Sequence, residues 1–548
     1  MGGLTIVSDF FLQFMNFPFL GAAILSALLV LLNISYSWVI SIENVKGLKG
    51  IELLPALIIL SFFKDYATGL HAMIMMLLGF MILYGNRHLP VKMPVEKFIF
   101  HALSIFAAYF VFDIITAFSV ALFLIIDELL FLKTKPGYLL VLWDIILLVL
   151  VIMILNGSEF IPVMLRQTYP GEEYAVLPQY WPLMVAHAGI MLLVRIFAAL
   201  KSIGFISRIP KVIRHNILLV VMVILMVPYG KKYFINTHKY ATEMAFYDSI
   251  REWEKILSLK RKVRIDDRIP RFLMNRALYY SGDMPEKLFS VPQEWGIHTL
   301  MLTMQFNREC TMHSSDLFFD MGYIKGAEYW ALEANTYHPY APRILYRLMQ
   351  CAILLDNQAV ARKYLTVMMH SPVHRNMAKN ILRQLNEGKY DLLKNIWIKN
   401  EPVIQGNLYI NNSNPNTDLI RLLQENPYNK MAFEYLMSYY LLNNHLGNFI
   451  HFLPYVKNFE YDHLPRTYEE ALLFYYLSKG TKPSEFEYPI RKETMDDLLN
   501  FNKTLIEYRF DDRSAQPELA RNFGKTYWYY LRYKSPVTTG GGLKRKEK

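Results

Sequence analysis

The sequence is poor in cysteine and in charged residues, and each shortage excludes certain classes of protein. It has two cysteines, Cys310 and Cys351, in 548 residues, which excludes a disulfide-rich secreted module. Their spacing fits no zinc or redox motif, so two buried thiols are expected, with a disulfide as the alternative. Charged residues make up 19% of the chain and hydrophobic residues 53%, whereas soluble proteins carry about 25% charged residues. This composition excludes a purely soluble enzyme and a disordered chain.

Catalytic and ligand-binding motifs are also missing. The sequence has no HExxH, no GxSxG with plausible partners, no P-loop and no dinucleotide fingerprint. The histidines His71, His101 and His313 are without the spacing of metal ligands, so no metal and no cofactor are expected. The net charge of +11 does not predict nucleic acid as a partner, because many basic residues lie in short loops between apolar segments, as in membrane proteins.

Long apolar segments fill residues 1–230 instead. A helix needs roughly 17 to 25 apolar residues to span a bilayer, and residues 17–42 meet this requirement. Further segments cover residues 51–63, 67–84, 98–112, 114–132, 138–155, 181–200 and 213–227. The segment 51–63 and the pair of segments that flank Asp113 could be shallow hairpins, and that pair could instead form one long helix. We predict a membrane domain of about eight helices over residues 1–230, with the lipid bilayer as its surroundings.

The loops between these segments differ in basic residues, which predicts the orientation. With eight spans, successive loops lie on alternate sides of the membrane. The loops on one side carry eleven basic residues, namely Lys46, Lys49, Arg87, Lys92, Lys97, Lys133, Lys135, Lys201, Arg208, Lys211 and Arg214. The loops on the opposite side carry only Lys64 and Arg166, until Lys231 and Lys232 begin the second half of the chain. We therefore expect a bacterial inner-membrane protein whose amino terminus, loop 156–180 and residues 231–535 are extracytoplasmic.

Three charged residues, Asp127, Asp144 and Arg195, fall inside predicted spans, where a charge is costly. Each lies about five to seven residues from the cytoplasmic end of its helix, so the three share one depth at 1.5 Å per residue. Arg195 is therefore expected to pair with Asp144 or Asp127. The group is either a substrate or headgroup site in the inner leaflet or a structural ion pair with side chains that reach the interface.

Residues 231–535 have the periodicity of short amphipathic helices, and we predict helices over 238–260 and 271–282, the latter ended by a left-handed Gly282. A motif of about 33 to 34 residues recurs, with a small residue, then an aromatic one, then a closing proline. Its members are Ala327 with Tyr329 or Trp330 before Pro339, Ala361 with Tyr364 before Pro372, and Ala432 with Tyr435 and Phe449. This resembles the tetratricopeptide pattern, in which stacked helical hairpins bind protein segments.

The carboxy terminus adds two further expectations. The aromatic segment 526–533 is either an exposed binding patch or part of the core, and residues 536–548 form a disordered basic tail. The predicted fold class is therefore all-α: a polytopic helical membrane domain followed by a soluble helical-hairpin repeat domain.

The whole pattern resembles a family of uncharacterised multi-pass bacterial membrane proteins with a tetratricopeptide-like carboxy-terminal half. The segments that carry the resemblance are GGLTIVSDFFLQFMNFPFLGA at 2–22, LYYSGDMPEKLF at 278–289, NPYNKMAFEYLMSYYLL at 426–442, LPRTYEEALL at 464–473 and FGKTYWYYLRY at 523–533. The resemblance implies this architecture over nearly the whole chain but no activity. It also implies that further membrane sequence precedes the Gly-Gly region, so Met1 need not be the native start.

Two functions fit these features. The first is a membrane-anchored scaffold whose repeat domain holds a protein partner at the extracytoplasmic face, although eight spans exceed what an anchor needs. The second is a multi-pass glycosyltransferase that uses a lipid-linked sugar, by analogy of architecture. Such an enzyme needs a carboxylate to activate its acceptor or hold a metal, and Asp9, Asp65 and Glu159 are the candidates. A transporter is a third option.

The predicted orientation is tested by a reporter fusion. Alkaline phosphatase joined after Lys548 is expected to be active, because that enzyme forms its disulfides only outside the cytoplasm. The matched fusion after Lys133, in a loop predicted to be cytoplasmic, is expected to be inactive. An inactive carboxy-terminal fusion, together with a signal from a reporter that works only in the cytoplasm, would reverse the orientation.

Overall fold

The computed structural model describes residues 7–8, 10–11, 14–15, 17–41, 53, 55–56, 66–88, 94–111, 114–131, 135–150, 238–263, 268–302, 310–337, 341–389, 415–481 and 485–536. The chain divides into two compact units, Met1–His238 and Lys239–Lys548. All regular secondary structure in the described residues is helical, which confirms the all-α prediction.

Five helices make up most of the described part of the amino-terminal unit. They are α1 (Pro18–Ser41), α2 (Tyr66–His88), α3 (Pro94–Val111), α4 (Ile114–Phe131) and α5 (Lys135–Leu150). Helix α4 packs against α2, α3 and α5, while α1 packs against α2. Gly79 lets α2 approach α4 closely, because a Cβ atom there would lie 3.0 Å from the Phe123 ring.

These helices coincide with five of the predicted apolar segments. Two helices, not one, flank Asp113, since α3 ends at Val111 and α4 begins at Ile114. Segments 181–200 and 213–227 lie outside the described residues, as does most of 51–63. Within the described residues, one segment, Phe19–Val39, is long and apolar enough to cross a membrane, and Tyr138–Leu150 is apolar but shorter.

The carboxy-terminal unit is a succession of short helices. They are α6 (His238–Ser249), α7 (Trp253–Ser258), α8 (Arg268–Tyr280), α9 (Met284–Lys287), α10 (Cys310–Asp320), α11 (Ile324–Tyr337), α12 (Pro342–Leu354), α13 (Gln358–Met368), α14 (Arg375–Asn386), α15 (Asn416–Glu425), α16 (Lys430–Leu442), α17 (Leu446–Phe452), α18 (Arg466–Lys479), α19 (Lys492–Glu507), α20 (Asp512–Phe523) and α21 (Tyr527–Tyr529). Short 3₁₀ segments cover Leu288–Ser290, Gly296–Thr299 and Leu453–Asn458. From α10 to α14, each helix packs against the next.

One turn recurs between these helices and explains where they end. A residue with positive φ follows the helix, at Gly282, Gly322, Asp356 and Asn444. The next N–H donates to a carbonyl five residues back, for example Tyr323 to Phe318 and Asn357 to Ala352. This is the Schellman closure, which satisfies carbonyls that the helix end leaves open. The closures at Gly322 and Asp356 stand 34 residues apart, close to the repeat length read from the sequence.

The same turn overturns one predicted helix and confirms another. The prediction of one helix over 238–260 is wrong, because Arg251 adopts a φ of 59° and separates α6 from α7. The N–H of Glu252 then donates to the carbonyl of Tyr247. The helix expected over 271–282 is present as α8, and Gly282 has the predicted left-handed conformation, with a φ of 72°.

The small residues of the repeat are buried where helices meet. Ala327, Ala361 and Ala432 are all fully buried. Of the two aromatic alternatives beside Ala327, Trp330 fills the core at 2% exposure, whereas Tyr329 is 37% exposed. Cys310 and Cys351 are buried thiols, as expected.

The aromatic segment 526–533 belongs to the core. Tyr527, Trp528, Tyr529 and Tyr530 are each less than 5% exposed, and the Tyr530 hydroxyl donates to the carbonyl of Leu442 at 2.9 Å. The hypothesis of an exposed binding patch there is therefore wrong, because these rings fill the space between helices.

Two segments of the carboxy-terminal unit that are distant in sequence, α9 and α18, contact each other. The Thr467 hydroxyl on α18 donates to the carbonyl of Pro285 on α9, across 182 residues of sequence. Beside it, the N–H of Arg466 donates to the Glu286 carboxylate at 3.1 Å. Met284 and Pro285 on α9 are both buried. Helices from an early and a late part of the unit therefore pack against each other.

Enlarging a buried small residue is expected to destabilise the stack. Ala361→Leu should cost about 1–3 kcal/mol by overpacking, so amide exchange in Gln358–Met368 should accelerate by about 5- to 150-fold. Hydrogen-exchange mass spectrometry of the full chain measures this acceleration. The matched variant Ala520→Leu, at an exposed helical position, should leave exchange unchanged. Equal effects of the two substitutions would contradict the assigned role of Ala361.

Candidate functional site

Polar side chains gather inside the amino-terminal helix bundle. They come from the last turn of α2, the first turns of α3, the last turns of α4 and the middle of α5. We call this group the polar core, and its members are Asn86, Arg87, Lys97, His101, Asp127, Glu128 and Asp144. Polar groups removed from water must find partners, and the contacts within the polar core supply them.

Arg87 and Asp127 form one part of the polar core. The Arg87 Nη2 lies 2.5 Å from Asp127 Oδ1, and its Nε lies 3.2 Å from the same oxygen. The remaining terminal nitrogen donates to the carbonyl oxygen of Val39 at 2.7 Å. The guanidinium group thus joins α1, α2 and α4, and both side chains of the ion pair are more than nine-tenths buried.

His101 and Asp144 form the second part, and both are fully buried. The His101 Nδ1 lies 2.8 Å and 3.0 Å from the two carboxylate oxygens of Asp144. Its Nε2 lies 2.9 Å from the side-chain oxygen Oδ1 of Asn86, and the side-chain nitrogen Nδ2 of Asn86 donates to Glu128 Oε1 at 3.1 Å. Lys97 lies 3.4 Å from the same Glu128 oxygen. A continuous chain of hydrogen bonds therefore runs from Asp144 to Lys97.

The structure places two of the three predicted intramembrane charges in the polar core. Asp127 pairs with Arg87, and Asp144 pairs with His101, which contacts Asn86, the residue before Arg87. Arg195 lies outside the described residues, so its pairing stays a prediction. The partners that the described residues provide are Arg87 for Asp127 and His101 for Asp144.

The tentative catalytic carboxylates of the sequence analysis, Asp9, Asp65 and Glu159, also lie outside the described residues. Their role stays a hypothesis from sequence.

Sequence reasoning missed Arg87, His101 and Asn86 as members of the site. Arg87 was assigned to a loop, and His101 was judged only by metal-ligand spacing. The available signal was that Lys97 and His101 are four residues apart on one helix face. Both lie near the same end of the bundle as the two predicted acids.

A second buried charge cluster lies in the carboxy-terminal unit. Arg276 bridges Asp248 and Asp320 at 2.5 Å each, and Arg343 and Arg347 both contact Asp316. These ion pairs tie α6, α8, α10 and α12 together. Three carboxylates face three guanidinium groups, so the cluster is balanced in charge.

His313 is buried within this cluster, and its ring forms no hydrogen bond through Nδ1. Its ligand atom lies within 4.8 Å of oxygens of Asp248 and Asp316, which is close enough for a metal site. Burial lowers the pKa of His313 to about 3; Asp316 is also buried, but Arg343 and Arg347 hold its pKa below its usual range. A divalent cation there would adjoin three guanidinium groups, so the geometry favours a structural ion-pair cluster over a metal centre.

Removing one member of the Arg87–Asp127 pair should destabilise the bundle strongly. Arg87→Ala and Asp127→Ala each leave a buried charge without its main partner, at a cost of about 3–5 kcal/mol. The double variant should cost less than the sum of the two, because the second substitution removes the stranded charge. Equilibrium unfolding of the full chain by a denaturant measures these differences.

The control is an exposed ion pair of the same chain. Lys255 and Glu252 lie 3.5 Å apart and are each about half exposed, so Glu252→Ala should have an effect close to zero. If the double variant loses as much unfolding free energy as Arg87→Ala and Asp127→Ala lose together, the two residues are not coupled.

Comparison with known proteins places the chain within one family. No curated protein sequence and no solved structure matches the chain. Residues 1–534 match the model of a protein family of unknown function, DUF6057. Because that match covers nearly the whole sequence, the chain belongs to this family of unknown function.

Proposed function

We propose that the chain is a multi-pass membrane protein of the bacterial inner membrane, whose tetratricopeptide-like carboxy-terminal unit holds an acidic protein segment at the extracytoplasmic face. The membrane part of the proposal is supported by the distribution of polarity in the amino-terminal unit. The partner-binding part is carried by a single observation, a basic face on two adjacent helices of the hairpin stack.

The amino-terminal bundle has polar residues inside and large apolar residues outside. Leu103, Phe110 and Val111 on α3 are 64%, 72% and 61% exposed, while His101 on the same helix is fully buried. On α5, Leu139 is 58% exposed and Asp144 is fully buried. A bundle in water would bury these large apolar side chains and expose the histidine and the aspartate. Lipid as the surrounding medium explains both, since intramembrane charges face a bundle interior.

The lengths of the helices agree with this proposal. Helices α1 and α2 have 24 and 23 residues, about 36 and 34 Å at 1.5 Å per residue, which exceeds a hydrocarbon core of about 30 Å. Helices α3 to α5 have 18, 18 and 16 residues. Shorter spans are accommodated by local thinning of the bilayer or by flanking residues that reach the interface.

The basic face lies on α13 and α14, which pack against each other. The two helices contain five basic residues and no acidic one in their sequences, QAVARKYLTVM and RNMAKNILRQLN. Lys363, Arg375, Lys379 and Arg383 are exposed, and Arg383 lies 3.9 Å from Glu387, the residue that follows α14. Their shared sign favours an acidic partner, because complementary charge steers association and suppresses wrong partners.

The glycosyltransferase alternative rests on residues outside the described part of the chain. Asp9, Asp65 and Glu159 are its candidate acids, and no observation on the described residues favours it. It stays the competing hypothesis from sequence, with a lipid-linked sugar as its substrate.

Site-specific photocrosslinking in cells tests the scaffold. A photoreactive residue at position 363 is expected to form one reproducible protein adduct, which weakens by tenfold or more when Lys379→Glu is added, because the reversed charge repels an acidic segment. The same probe at Lys503, exposed on α19, is the control and should not form this adduct.

Other outcomes of the crosslinking would overturn the proposal. Adducts to lipid alone would replace the protein partner by an anionic membrane surface. Absence of any adduct at position 363, combined with loss of an envelope glycan on deletion of the protein, would favour the transferase.

A further inference from the structure

The orientation of the Asn86 amide is fixed by its neighbours in the polar core. Its nitrogen faces Glu128 Oε1 at 3.1 Å, and its oxygen faces His101 Nε2 at 2.9 Å. Lys97 contacts the same Glu128 oxygen, which favours the ionised carboxylate. An ionised carboxylate only accepts hydrogen bonds, so the amide nitrogen must point at Glu128 and the amide oxygen at His101.

This orientation determines where hydrogen atoms sit on His101. The Asn86 oxygen has no hydrogen to give, so the facing Nε2 must carry one. The other nitrogen, Nδ1, faces the Asp144 carboxylate at 2.8 Å. A hydrogen bond there requires one more hydrogen, either on Nδ1 as part of an imidazolium or on the Asp144 carboxyl. Both arrangements contain one dissociable proton more than a neutral histidine beside an ionised aspartate.

We propose that the polar core is a proton-binding site, in which His101 and Asp144 hold one dissociable proton between them inside the amino-terminal bundle. Asn86 orients the histidine, and Glu128 with Lys97 orients Asn86. The ligand is the proton itself, and its occupancy is coupled to the packing of α3 against α5.

The charges around the site explain why the proton stays bound. Arg87 and Asp127 cancel each other at 2.5 Å, and Lys97 and Glu128 cancel at 3.4 Å. With its proton, the pair of His101 and Asp144 is also neutral overall. Loss of the proton would leave one net negative charge on side chains that are fully buried, which is unfavourable in a medium of low dielectric constant. It would also break a hydrogen bond at Nδ1 or Nε2.

Solid-state NMR of the full chain in lipid vesicles tests this site directly. The protein is labelled with ¹⁵N in histidine rings and ¹³C in aspartate carboxyls, and the His101→Gln spectrum is subtracted. At pH 8, we expect the His101 signal to show either two N–H groups, or one N–H together with a protonated Asp144 carboxyl. A ring with one N–H beside an ionised Asp144 would overturn the proposal.

A second variant, Asp144→Asn, tests the shared proton even if His101→Gln does not fold. In Asp144→Asn, the new amide can donate its own N–H to Nδ1, so the ring should be neutral and carry hydrogen only on Nε2. A ring that stays doubly protonated in Asp144→Asn would equally contradict a shared proton. The control is His88→Gln, at an exposed histidine of the same unit, which must leave the His101 signal unchanged.

Discussion

The cost of taking a charge out of water governs the interior of both units. In the amino-terminal bundle, the Arg87 guanidinium meets the Asp127 carboxylate and the carbonyl of Val39, so three helices are joined through one side chain. In the carboxy-terminal unit, Arg276 does the same for Asp248 and Asp320. Neither pair is a source of large net stability by itself, since desolvation offsets the attraction. What such pairs fix is the position of the helices, because any other arrangement strands a charge.

The two units differ in what surrounds these charges. The carboxy-terminal unit wraps its ion pairs in aromatic and aliphatic side chains, such as Trp253 near the Arg276 guanidinium, and exposes many charged residues. In the described part of the amino-terminal bundle, Asp127, Glu128 and Asp144 are buried, and many Leu, Phe and Ile side chains are exposed. The same physical cost is therefore met by two different kinds of surface, and this contrast is the observation that supports the proposal of a membrane-embedded amino-terminal unit.

The sequence predicted the features that depend on local chemistry. Gly282 in its left-handed conformation and buried Ala327 and Ala361 follow from rules about neighbouring residues. The sequence did not predict where the helix expected over 238–260 is interrupted, because no glycine or proline marks that position. Arg251 ends a helix although its residue type rarely adopts positive φ.

The candidate site was predictable only in part, for a related reason. Asp127 and Asp144 stood out because acidic residues are rare in apolar segments. His101 and Asn86 did not, because their importance depends on which helix faces which, and helix pairing is a tertiary property. Likewise, the aromatic run at 526–533 could be core or surface until its neighbours were known, and Tyr530 meets Leu442 across 88 residues.

The contact between α9 and α18 has a consequence for how the protein is made. The hairpins from α10 to α14 close their turns with hydrogen bonds between residues five apart, so each can form soon after it leaves the ribosome. Helix α9 has to wait for α18, because Thr467 and Pro285 are 182 residues apart. At about 5–20 residues per second, roughly 10 to 40 seconds pass between them. During that interval the Pro285 carbonyl is without the Thr467 hydroxyl from which it accepts a hydrogen bond in the folded unit.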